Sequence, residues 1–379
     1  FYDADGDSGR TAGRAGPIDR RPYAPPPSGN PRALPPRDWG HRWQPLTWAS
    51  FGPDLGLFIG GGRTLTVYGF RKYPFASRHR FRAGFATGPT TYRVDYHGEF
   101  HRENSRVSAE LFVRASGIEV IRFHGFGNET SVTGSNAYYR VTQDQFNIAP
   151  SLLLPLGPTL TLLLGPTLTY VSTEYRPDRF LATVNPYGSG EFGELGAQAS
   201  FRLDTRNRGT AATHGLAIEL VGAVHPAWWD VREAFGEAHG AAAVYLSPPA
   251  PLDPTLSLRV GGKKLWGAYP YFDAAFIGGR STVRLGRENR YAGDAAAYGS
   301  AELRLVLAHA LLVVPADLGV FGLADAGRVF YTGESSTTWH TAFGGGAWAA
   351  FLNRANTMSV ALAASEERTA VYVQAGFGF

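Results

Sequence analysis

Cysteine is absent from the 379-residue chain and methionine occurs once. No disulfide framework, thiolate metal site or cysteine nucleophile is therefore available. Charged residues are sparse, at 18%, and the net charge of +4 comes from Arg scattered along the sequence. Without a concentrated basic patch, no nucleic-acid partner is expected. A membrane helix needs ~20 mostly apolar residues, and no such run exists. Residues 152–168 are broken by Pro155, Pro158 and Pro166, and residues 305–324 carry His309, Pro315 and Asp317. This argues against a helical inner-membrane protein. The chain starts at Phe1 with neither Met nor a leader, and reads as a mature product or a fragment.

Enzymatic signatures are missing too. There is no Gly-x-Ser-x-Gly elbow and no His-Glu-x-x-His. Gly127-Asn128-Glu129 lacks the His between Asn and Glu that a metallophosphoesterase would need. His97, Glu99 and His101 share one strand face, but alternate strand residues stand ~6.5 Å apart, too far for a compact tripod around one ion. Asp3, Asp5 and Asp7 resemble the start of a calcium loop without its twelfth-position Glu, and read as a solvated tail. No catalytic residue, metal or cofactor is expected.

Glycine (47) and aromatics (24 Phe, 18 Tyr, 8 Trp) are abundant instead. Residues 1–50 are rich in proline, including Pro22, Pro25 to Pro27, Pro31, Pro35 and Pro36, and read as an extended linker or periplasmic segment. From Leu55 onward, segments of about ten residues alternate with period two. In Thr91 to His101, the row Arg93, Asp95, His97, Glu99 opposes Tyr92, Val94, Tyr96, Phe100. In Ala297 to Ala308, the row Ser300, Glu302, Arg304 opposes Ala301, Leu303, Leu305, Leu307.

Soluble sheets alternate as well. Yet a soluble sandwich of some 320 residues should split into domains, whereas a membrane barrel places the apolar row on lipid and the charged row in a wet lumen. Closure follows, because unpaired backbone groups in hydrocarbon cost several kcal/mol each. The expectation is an all-β, antiparallel transmembrane barrel over residues 51–379. Fifteen strands are readable between Leu55 and Phe379, and barrels of this kind have even counts. Sixteen is therefore expected, the missing strand falling near Ile118 to Phe126, with the seam between the strand near Leu55 and the last strand. In that last strand, Val371, Val373, Ala375, Phe377 and Phe379 line one face. An aromatic two residues before a terminal Phe resembles the outer-membrane targeting signal.

The stretch Phe276 to Gly286 carries a family resemblance. Gly278, Gly279, Val283 and Arg284 match the sixth extracellular loop of the BamA/TamA (surface antigen) superfamily, while Leu285 and Gly286 depart from its usual Val-Arg-Gly-Phe ending. Ser300 to Arg304 and Leu323 to Arg328 resemble the two strands that follow. The resemblance implies a loop folded back into the lumen, with Arg284 held by Glu302 and Asp325. Independently, Glu302 lies on the charged row of its strand, and a guanidinium fork can hold carboxylates as Lys could not. Asp325 shares its face with Phe321 and Leu323, so a bulge or a less direct approach is expected there.

Gly60 to Phe70 and Phe123 to Thr130 resemble superfamily barrels that follow an N-terminal enzyme domain, such as a metallophosphoesterase. POTRA modules are not within the 379 residues. The resemblance implies an integral protein of the bacterial outer membrane. Lipids and lipopolysaccharide would surround it, and a polypeptide substrate or other outer-membrane subunits would be its partners. Three roles remain open: inserting or translocating polypeptide, anchoring a preceding enzyme domain, or serving as a pore or scaffold subunit.

Overall fold

The structure is a computed structural model that describes residues 37–311, 314–352 and 356–378. Residues 1–36 of the linker expected over 1–50, and the terminal Phe379, lie outside the described residues. Sixteen strands close into one antiparallel barrel. In chain order the first half comprises β1 (His41–Gly52), β2 (Gly56–Gly69), β3 (Lys72–Ala86), β4 (Thr91–His101), β5 (Ser108–Ser116), β6 (Gln143–Pro155), β7 (Leu160–Thr173) and β8 (Glu191–Asp204). The second comprises β9 (Gly215–His225), β10 (Phe235–Leu246), β11 (Thr255–Trp266), β14 (Ala295–Leu311), β15 (Pro315–Phe330), β16 (His340–Phe351), β17 (Asn356–Ser365) and β18 (Thr369–Ala375). Between β11 and β14 the chain forms a two-stranded ribbon of its own, β12 (Ala275–Ile277) with β13 (Tyr291–Gly293).

The period-two pattern orients every wall strand. Val260, Leu303 and Phe343 are 62%, 48% and 60% exposed on the outer face, whereas Asp95, Ser300, Glu302 and Arg304 are buried inside. Lumen polar groups pair across strands: Arg114 Nε donates to Asp95 Oδ1 at 2.7 Å, and His97 Nε2 lies 3.2 Å from Glu110 Oε2. His97, Glu99 and His101 thus belong to the charged lumen row, with His101 Nε2 bonded to Glu99 at 2.7 Å. An apolar outer wall around a polar interior, with no open edge, is the architecture that hydrocarbon requires.

The long connections 117–142, 174–190, 226–234 and 267–294 all leave the same end of the barrel. Outer-membrane barrels carry long loops outside and short turns inside, which makes that end extracellular. There the loops pack into a cap around Phe123, Phe192, Val231, Tyr271 and Phe272.

Three expectations are corrected. The missing sixteenth strand is β1, His41–Gly52, so the barrel begins inside the span assigned to the linker. Pro45 masks it: proline is confined to poorly paired edges, and β1 has one. Ile118 to Phe126 is not a wall strand. It turns into the cap, where Val120 and Phe123 are buried, and touches the ribbon through Phe126↔Ala292. Finally, β18 stops at Ala375. Gly376 at φ +83° turns the chain inward, so Phe377 leaves the outward row of Val371 and Val373 and packs against Phe321 and Trp348.

Candidate functional site

The connection between β11 and β14 enters the lumen through the β12–β13 ribbon, and its tip, residues 278–290, descends along β14 and β15. Gly278 (φ +116°), Gly279 (φ +93°) and Gly286 (φ +81°) bracket the tip. At Gly279 the positive φ is one that side chains rarely adopt, and a Cβ there would also displace the Glu288 carboxylate, 1.8 Å away. Val283 and Leu285, both wholly buried, seat the tip against Leu265, Ala296 and Val329.

Between those two apolar anchors, Arg284 points at the wall. Its Nε and Nη2 donate to Asp325 Oδ2 and Oδ1 at 2.6 and 2.7 Å, and its Nη1 donates to Glu302 Oε1 at 2.9 Å. Its backbone N–H adds a third bond to Asp325, at 3.1 Å, the fourth made by the residue. No bulge intervenes at Asp325: Ser300↔Asp325 and Glu302↔Leu323 are regular pairs. Phe321 and Leu323 share its face because the lumen wall is itself apolar below this level.

Arg304 is a fourth member, one the sequence motif does not include. Arg304 donates to Glu302 Oε2 from Nη2 at 2.7 Å and from Nε at 3.1 Å. Arg284, Arg304, Glu302 and Asp325 are all buried and sum to zero charge. Burial alone would lower the Arg284 pKa, but Asp325 and Glu302 outweigh it and hold it above the ordinary arginine value. The only sequence signal for Arg304 is its place two residues along from Glu302 on the same row. Arg304 also lies 3.8 Å from the Phe377 ring centroid, which brings the C-terminal segment to the same network.

A second set of contacts was not legible in the sequence. Asp54, in the β1–β2 turn, accepts from Arg122 Nη2 at 2.8 Å, from Arg368 Nη2 at 3.0 Å and from the backbone N–H of Glu288 at 2.9 Å. Asn128, the residue matched to a phosphoesterase motif, is fully buried and holds the cap to the wall. Its Oδ1 accepts from Val329 N at 2.8 Å and its Nδ2 donates to Ser336 Oγ at 2.9 Å. Among the described residues no His, Asp or Glu cluster is arranged to hold a metal ion.

The seam completes the site. β1 pairs with β2 from His41↔Val67 to Gly52↔Gly56, but meets β18 at the single register pair Phe51↔Val373.

No protein-family model matches the sequence, and no curated protein matches it. Solved structures do. BamA from Haemophilus ducreyi lacking POTRA domains 1-3 aligns with a TM-score of 0.60 at 13% identity, over 88% of this chain and 70% of that one. The barrel has the BamA fold. CdiB from Escherichia coli aligns with a TM-score of 0.58 at 12% identity, over 91% of this chain, which spans 63% of CdiB. At such identities the likeness is one of fold. A BamA-type barrel is all-β with sixteen strands, and its wall crosses the membrane with strands, no described helix being long and apolar enough to do so.

Proposed function

We propose that this chain is a non-enzymatic barrel of the bacterial outer membrane that inserts or translocates polypeptide, with Arg284 as the hold of its lumen loop. The observation that carries this reading is the pairing of two opposite features. The loop tip is fixed by four hydrogen bonds from Arg284 to two buried carboxylates, while the wall beside it closes through a single register pair. A rigid plug next to a weak seam suits a polypeptide that leaves the lumen sideways or pairs with the free edge of β1. An open diffusion pore would have no use for a lumen filled by a buried, charge-neutral tip.

The test is reconstitution of the full chain in liposomes with an unfolded small outer-membrane barrel as substrate. The expected result is faster substrate folding, abolished by a disulfide between Phe51→Cys and Val373→Cys and restored by reductant. Equal rates in empty liposomes would overturn the reading.

A further inference from the structure

The outward row of β2 carries a charge, Arg63, among apolar neighbours. Arg63 is exposed, on the same row of β2 as Leu57 (41% exposed) and Ile59 (54%), and it pairs in register with Phe81 (49%) on β3. It therefore faces lipid. Among the described residues none accepts a hydrogen bond from its guanidinium. An arginine on the lipid face costs ~2–4 kcal/mol at the bilayer midplane and ~0–1 near the interfaces, so the side chain must reach an interface or an anion.

The interface is one row away. Toward the periplasmic end, the next cross-strand row contains Trp43, Leu65 and His79, and exposed tryptophan marks the headgroup level. Two strand residues span ~7 Å, a distance an arginine stem covers by snorkelling. At that level His79 Nδ1 lies 2.9 Å from Tyr96 Oη and its Nε2 lies 3.0 Å from Ser77 Oγ. A neutral imidazole donates one of these bonds and accepts the other. The hydroxyl that accepts keeps its own hydrogen, so in either tautomer one O–H remains for an outside acceptor.

We propose that Arg63, with the Ser77–His79–Tyr96 set, binds the phosphodiester of a periplasmic-leaflet phospholipid on the outer wall, beside β1. The guanidinium supplies a bidentate fork for the phosphate. The hydroxyl of Ser77 or Tyr96 supplies a further donor, and the exposed faces of Phe81 and Trp43 flank the acyl chains. This rests only on the barrel's spanning a membrane and not on any role in handling polypeptide.

The full chain, wild type and as Arg63→Leu, Arg63→Lys and His79→Phe, would be placed in nanodiscs of phosphatidylethanolamine and phosphatidylglycerol, extracted into detergent and washed. Native mass spectrometry would count the retained phospholipid. At least one phospholipid should survive washing on the wild type, with about a tenfold lower retained fraction for Arg63→Leu, partial retention for Arg63→Lys and a smaller loss for His79→Phe. Retention of lipopolysaccharide in a parallel preparation should be unaffected by Arg63→Leu. Equal phospholipid retention by wild type and Arg63→Leu would overturn the proposal, as would a loss confined to lipopolysaccharide. Should Arg63→Leu fail to show the heat-modifiable mobility of a folded barrel, His79→Phe and Arg63→Lys decide the matter by the same measurement.

Discussion

Asp54 and Arg368 face each other across the seam: Arg368 Nη2 donates to Asp54 Oδ1 at 3.0 Å, joining the β1–β2 turn to the β17–β18 turn. The Asp54 carboxylate is buried and also takes Arg122 and the Glu288 amide. The extracellular end of the seam is thus held by side-chain charge where the backbone ladder is short. Asp54→Asn would remove that charge and leave two guanidinium groups facing a neutral amide. Hydrogen exchange of the β18 amides should accelerate about tenfold, corresponding to ~1.4 kcal/mol of lost local protection. β9 and β10, far around the wall, should be unaffected. Equal exchange in the β18 amides of variant and wild type would show that the pair does not hold the seam.

Removing one partner of a buried ion pair costs about 3–5 kcal/mol, because the remaining charge is left uncompensated. Arg284→Ala leaves Asp325 without its fork and Glu302 with Arg304 alone. The temperature at which the barrel loses its folded mobility in detergent gels should fall well below that of the wild type. Arg284→Lys should lie between the two, since a single ammonium cannot reproduce the fork. The neutral pair Arg284→Met with Asp325→Leu should recover part of the loss.

Asn128→Ala removes the acceptor of the buried Val329 N–H and the donor to Ser336. A buried group left unpaired costs about 1–3 kcal/mol. The effect should be local to the cap, so trypsin should cleave faster after Arg122 and Arg140 while the wall keeps its heat resistance.

The carboxyl of Glu288, in the loop tip, is pushed up to about 7 by burial, opposed by Arg280 and reinforced by Asp54. A carboxyl with a raised pKa binds its proton more tightly in the docked loop than in the released one. The docked loop is therefore favoured fully below about pH 4.5, and that advantage is lost as pH rises through about 7. Glu288→Gln mimics the protonated form. Loop protection by hydrogen exchange should be similar in the two proteins at pH 5 and greater in the variant at pH 8.

The wall was legible because its signal is local. Alternation in Thr91 to His101 or Ala297 to Ala308 is a property of neighbouring residues, and lipid outside with water inside reads it directly. β1 escaped because Pro45 and the Pro-rich stretch before it carry the composition of a linker. Ile118 to Phe126 misled because its apolar residues serve the cap, which has no period. Arg304 and Asp54 were unreadable for another reason: the first needed the depth of the loop tip, and the second needed two turns 314 residues apart in sequence to meet.

By itself the sequence determined that the chain alternates too long for a soluble sheet, that it must close, and that Arg284, Glu302 and Asp325 are of the types a lumen hold requires. Tertiary structure decided that the barrel begins at His41, that Arg304 makes the buried charges sum to zero, that the chain turns inward at Gly376 to set Phe377 on Arg304, and that Asp54 spans the seam. The physical reason is range. Side-chain alternation is fixed by adjacent peptide units, whereas buried charge is stable only where distant segments bring its partner, and no local pattern encodes that meeting.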